Sequence, residues 1–89
     1  MMRYAHDPKK LAANVARHQV WFHEAEGFEW ETAVILIDDR QRYGEARFKA
    51  TGYIGLRLFV MVFTLRETAV RIISLRKANV REINHYAKT

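Results

Sequence analysis

Arg57-Leu58-Phe59-Val60-Met61-Val62-Phe63-Thr64-Leu65-Arg66-Glu67-Thr68-Ala69-Val70-Arg71-Ile72-Ile73-Ser74-Leu75 is the stretch on which the fold turns. Residues 57–65 are apolar at odd and even positions alike and rich in Phe and Val, which is what a strand covered on both faces requires. They therefore predict the central strand of a sheet. Residues 70–75 form a second β-branched run, reached through a short polar turn near Arg66-Glu67. So short a connection favours antiparallel pairing. Working back along the chain, residues 45–53 set Glu45, Arg47 and Lys49 against Ala46, Phe48 and Ala50, the alternation of a strand with one wet face. Before them Ala33-Val34-Ile35-Leu36-Ile37 is another β-branched run, ended by Asp38-Asp39. These four runs predict an antiparallel meander, with residues 2–4 as a further edge.

Helices flank this sheet in the sequence. Asp7-Pro8 is a helix start with a mechanism: Asp accepts from the orphan amides of the first turn, and Pro fits the first helical position. Leu11, Ala12, Val15 and Ala16 then fall at helical spacing, leaving Lys9, Lys10, Asn14 and Arg17 on the other side, and predict a helix over 8–17. Phe22, Ala25 and Phe28 suggest a second helix over 21–30, weakened by Gly27. Asn79-Val80-Arg81-Glu82 has the spacing of a capping box, so a helix over 80–88 should follow. The predicted order is βααββββα, an α+β fold with a sheet of four to five strands.

Composition agrees with one small soluble module. The 89 residues leave no length for a second core, so residues 1–89 are read as a single domain. With 49% hydrophobic, 12% aromatic and 28% charged residues the chain is of ordinary globular composition. Zero cysteines exclude disulfide scaffolds, thiolate metal sites and thiol catalysis. The N-terminal residues have no apolar stretch of a secretory leader, and no apolar run approaches the roughly 20 residues that cross a bilayer. A cytoplasmic chain with no membrane partner is expected.

The net charge of +5 is uneven. Residues 1–44 carry six Lys/Arg against seven Asp/Glu, and residues 45–89 carry nine against three, giving −1 and +6. A basic half on a small domain points to a polyanionic partner, either nucleic acid or an acidic protein. Its sharpest feature is Arg71-Ile72-Ile73-Ser74-Leu75-Arg76-Lys77-Ala78-Asn79-Val80-Arg81, an apolar strand that delivers Arg71, Arg76, Lys77 and Arg81 around the start of the capped helix. Cations converging there make a local anion site; solvated basic residues at a strand–helix junction are the plainer interpretation.

Over nearly its whole length the chain resembles the BrnT family of toxin–antitoxin ribonucleases. The resemblance rests on the 71–78 segment followed by Arg81-Glu82 and Tyr86, on Asp7-Pro8-Lys9-Lys10 with Asn14 and Arg17-His18, and on Phe22-His23-Glu24-Ala25. Asp38-Asp39 and Gly44-Glu45-Ala46-Arg47 add to it. It implies a RelE-like α+β fold, RNA cleavage that halts growth, and neutralisation by a BrnA-type antitoxin with a ribbon-helix-helix domain, through which alone DNA would be engaged. Three positions depart from the pattern: Gln19 replaces a glycine, Trp21 a cap serine and His6 an aromatic residue. The first two should alter the turn between the helices. A degenerate toxin that only forms a complex and contributes to transcriptional autoregulation is the alternative function.

A ribonuclease without metal needs a base near the 2′-hydroxyl and cations for the charge developing on phosphate. His18 is the candidate acid/base, because its ordinary pKa lies near neutrality; a histidine at a helix C-terminus equally serves to cap carbonyls. Arg71 and Arg76 are the candidate phosphate stabilisers, being permanently charged and able to grip two oxygens. Arg47, Lys49, Lys77, Arg81 and Tyr86 are candidates for RNA binding. Glu82 is catalytic by residue type, although the capping box accounts for it. The four histidines show no HExxH or similar ligand spacing, so neither a metal nor any other cofactor is expected. Trp21, Phe22, Phe28 and Trp30 are read as core or partner interface.

Overall fold

A computed structural model describes residues 2–40, 42 and 44–89. Its elements are β1 (Arg3–His6), α1 (Pro8–His18), two 3-10 segments (Phe22–Gly27 and Trp30–Thr32), β2 (Val34–Ile37), β3 (Phe48–Ile54), β4 (Arg57–Arg66), β5 (Ala69–Lys77) and α2 (Val80–Tyr86). One five-stranded sheet has the order β1-β5-β4-β3-β2. The apolar run at 57–66 is the middle strand, as its two-faced pattern requires. β2 to β5 form the antiparallel meander, and β1 joins as an edge paired parallel to β5.

The two faces of the sheet do different things. Phe59, Met61 and Phe63 of β4, with Val70, Ile72 and Leu75 of β5, pack under α1 and the 3-10 segments as the main core. On the other face Leu58, Val60 and Ala78 make a smaller cluster, against which Tyr86 of α2 packs. That helix covers only part of its face, so the rest of the sheet surface is open. A bulge between Val62 and Phe63 of β4 makes Ile73 the additional residue on β5. By simple alternation Arg71 and Arg76 would lie on opposite faces; the extra residue brings both, with Ser74, onto the open face.

Two helix predictions are corrected. On α1 the inward stripe is Leu11, Asn14, Val15 and His18, and Ala12 and Ala16 are exposed. Asn14, placed by sequence on the polar side, is 5% exposed. Its Nδ2 donates to the carbonyls of Val20 (3.0 Å) and Leu75 (2.7 Å), and its Oδ1 accepts from the Leu75 amide (3.1 Å). β1 stops opposite Ile72, so beyond that point Asn14 supplies the donor and acceptor that a neighbouring strand would have given Leu75. The second helix is not an α-helix. Phe22, Ala25 and Phe28 are buried at intervals of three residues, the period of a 3-10 turn, and that is what the backbone adopts.

The departures at 6, 19 and 21 are accommodated. Gln19 takes the left-handed conformation (φ 57°) and its amide donates to the Val15 carbonyl, closing α1 as a glycine would. The Trp21 amide donates to the Glu24 carboxylate at 2.9 Å, so one half of a capping box survives without a hydroxyl. His6 meets the Phe22 ring edge-on at 5.6 Å, filling an aromatic place.

Candidate active site

On the open face, the register row Leu36, Lys49, Val62 and Ser74 runs side by side across β2, β3, β4 and β5. It forms the floor of a trough of about 460 Å³, closed by Arg17 and His18 at one end, by Asp38 to Arg40 at the other, and flanked by Arg76. His18 is the last residue of α1 and reaches this face because the Asn14 clamp fixes the helix end beside the uncovered edge of β5.

Two ion pairs order the trough. Asp38, buried at the end of β2, is gripped by Arg40 through Nε to Oδ1 (2.7 Å) and Nη2 to Oδ2 (2.8 Å). The guanidinium holds the Asp38 carboxyl below its usual pKa. Arg76 donates from Nη1 to Glu82 Oε1 (2.7 Å) and from Nη2 to Oε2 (2.8 Å), with a longer bond from Nη1 to the Lys77 carbonyl (3.4 Å). Glu82 is pulled down to about 2, chiefly by this bond, and Arg76 is raised by it. The same Glu82 accepts from the Asn79 amide (2.9 Å), while Asn79 Oδ1 accepts from the Glu82 amide (2.8 Å), which is the capping box read from the sequence. Glu82 thus caps α2 and aims Arg76. It engages the end of the guanidinium; the side edge, Nε and the second N–H of Nη2, has no acceptor among the described residues.

Burial, then the charges of Arg76 and Arg17, push the His18 pKa down. Both causes favour the neutral imidazole, the form able to take a proton. Arg17 and Lys49 make no ion pair among the described residues, leaving their charge for a ligand. Among the described residues no three His, Asp or Glu side chains gather as metal ligands would.

The structure thus brings His18, Arg76 and Lys49 to one trough. Arg81 and Tyr86 line a neighbouring cavity, also with Lys49. Arg71 shares the open face but sits opposite Thr64, away from the trough, and Lys77 lies opposite Phe59 on the other face. Arg47 precedes β3, where its carbonyl accepts from the Asp38 amide at 2.8 Å, and it is not part of the trough's lining. Among the aromatic residues, Phe22 and Phe28 are core, Trp30 donates to the Tyr4 hydroxyl at 2.7 Å, and Trp21 is exposed. Sequence reasoning missed Asn14 and Ser74. The stripe Leu11, Asn14, Val15, His18 held the signal for the first; the bulge that turns Ser74 into the trough left none.

An open sheet face carrying a histidine, an aimed guanidinium and a lysine with no ion pair among the described residues, backed by helices on the reverse, defines a small α+β protein with a partly basic trough. The family model described as "Ribonuclease toxin, BrnT, of type II toxin-antitoxin system" matches residues 6–82, and the chain belongs to that family. It is similar to the Brucella abortus ribonuclease toxin BrnT, known from a 1.1 Å crystal structure, with a TM-score of 0.70 and 25% identity over 89% of this chain and 99% of that one. No curated protein sequence matches it detectably. Family membership makes RNA the substrate class and an antitoxin the partner. No helix among the described residues is long and apolar enough to cross a membrane.

Proposed function

We propose that the chain is a cytoplasmic, metal-independent endoribonuclease whose reaction centre is the trough between His18 and Arg76. Neutral His18 takes the proton of an RNA 2′-hydroxyl. The 2′-oxygen attacks phosphorus, the bond to the 5′-oxygen breaks, and that oxygen takes its proton from water in the open trough, leaving a 2′,3′-cyclic phosphate. The side edge of Arg76 meets the charge developing on the phosphoryl oxygens, and Lys49 and Arg17 hold the chain on either side. Arg71, one register row from Ser74 and not part of the trough's lining, is read as a phosphate contact beside it. A BrnA-type ribbon-helix-helix antitoxin is the neutralising partner, and binds DNA on the complex's behalf.

The observation that carries this reading is the trough that His18 shares with Arg76, whose guanidinium Glu82 aims. The Glu82 pairing of Arg76 is also what a non-catalytic, complex-forming module would have, but such a module has no need of an acceptor-free guanidinium edge. Incubation of purified protein with RNA in excess chelator separates the two. Defined fragments ending in a cyclic phosphate are expected, and a 2′-deoxy substitution at the cut nucleotide should abolish them. Activity that vanishes on stripping and returns with a divalent ion would overturn the metal-free mechanism.

A further inference from the structure

Beside the trough, on the same face, lies a second cavity of about 370 Å³ between α2 and the β2–β3 surface. Its floor is the next register row, Val34 and Thr51, while Leu36 and Lys49 form a wall common to both spaces. Resting on the ribonuclease reading of the trough, we propose that this cavity is a nucleobase subsite that takes the unpaired base of the nucleotide adjoining the cleaved one.

Adjacent rows on one face of a strand are two residues, roughly 6.6 Å, apart. That is within the span of one nucleotide, so a chain with a phosphate at Lys49 and Arg76 places its neighbouring base over Val34 and Thr51. The walls suit a base. Leu36, Val34 and the Tyr86 ring offer apolar and aromatic surface, and the Thr51 hydroxyl and Asn79 Nδ2 make no hydrogen bond among the described residues and face a ligand's polar edge. The Tyr86 ring is fixed in advance: its hydroxyl donates to the Thr32 carbonyl at 2.8 Å and its edge meets Tyr53 with ring centres 5.7 Å apart. A wall held without the ligand loses little entropy when a base stacks on it. Arg81, at the mouth, provides a cation for the next phosphate. The base must be unpaired, because a duplex keeps its bases stacked inside and cannot insert one between a helix and a sheet. The Arg76–Glu82 pair is the partition, Arg76 facing the trough and Glu82 the base cavity.

The test uses full-length protein carrying His18→Ala, which binds without cutting, and two 2′-fluoro dinucleotides, one with both bases and one abasic at the second position. The complete dinucleotide should shift the amide resonances of Leu36, Thr51 and His85 together with those around residue 18, and bind at least tenfold more tightly than the abasic one, as base stacking on aromatic rings provides. Val34→Trp, which fills the second cavity alone, should erase that difference while leaving abasic binding unchanged. Equal affinity for the two dinucleotides in the unfilled protein, with RNA still cut by the wild type, would overturn the subsite and leave the ribonuclease reading intact. Response of the second cavity to the antitoxin but to no nucleotide would likewise overturn it. If neither dinucleotide binds and the wild type cuts no RNA, the ribonuclease reading fails and the subsite with it.

Discussion

His18 and Arg76 are coupled, and their coupling is measurable in both directions. In the proposed reaction His18 acts as base only when neutral, so the rate should fall as pH drops through its pKa, and burial with the nearby guanidiniums places that limb below the ordinary 6.5. Arg76→Ala should slow RNA cleavage by roughly 100–1000-fold, the usual effect of removing a transition-state donor. It should also move the limb up toward 6.5, because a repelling cation is gone. Arg76→Lys keeps a charge without the fork; it should recover little rate but much of the lowered pKa, a split that NMR titration of His18 and pH–rate profiles resolve. Glu82 makes a different prediction. Its folded pKa of about 2 lies below its ordinary 4.5, so the stability it contributes is complete above about pH 4.5 and lost as pH falls toward 2. With Glu82 and Arg76 side chains 18% and 32% exposed, Glu82→Gln should cost about 1–2 kcal/mol at neutral pH and flatten the acid slope. Thermal melts across that range check both.

At the level of elements, local rules carried the reading until backbone and tertiary partners intervened. The capping box at Asn79 and Glu82, the two-faced run of β4 and the Asp7-Pro8 start are each fixed by residues within four positions, and each is found where the sequence places it. The burial of Asn14 depends on Leu75, 61 residues along the chain, and the bulge at Ile73 on the register with β4. For the same reason the clustering of His18, Arg76 and Lys49 was legible only as residue types, while their meeting required the sheet. The 3-10 geometry after Val20 was legible in the strict spacing of Phe22, Ala25 and Phe28 and was misread as α-helix. Gln19 turns this scale into a test. A non-glycine residue in the left-handed region costs roughly 1–2 kcal/mol, and glycine loses part of that gain to its freer unfolded state. Gln19→Gly should therefore raise stability by roughly 0.5–1 kcal/mol, a melting rise of a few degrees for a domain of this size, despite losing the Gln19 Nε2 bond to the Ala16 carbonyl (3.2 Å). A lower melting temperature would mean that the side-chain bond outweighs the strain.

For the whole molecule, the sheet has two edges, and they are finished differently. β1 is four residues long and carries Arg3, whose guanidinium donates to Thr68 at 3.0 Å. β2 is also short, but Ile35, Leu36 and Ile37 are 47%, 53% and 70% exposed on its two faces. A strand edge with unpaired backbone groups and bare aliphatic side chains is a template for a second chain. Domains of this size gain only a few kcal/mol from their cores, and here three large apolar residues contribute little to that core. The protein purified without its antitoxin should accordingly self-associate as concentration rises, in a way that the net charge of +5 opposes at low salt and that screening promotes. Ile37→Lys, on the most exposed of the three, places a charge on the edge, at the wall of the trough beside Asp38. It should suppress salt-promoted association in light scattering while circular dichroism stays unchanged. If Ile37→Lys associates as readily as the wild type, the sticky surface lies elsewhere, and the bare Trp21 and Leu56 become the positions to charge.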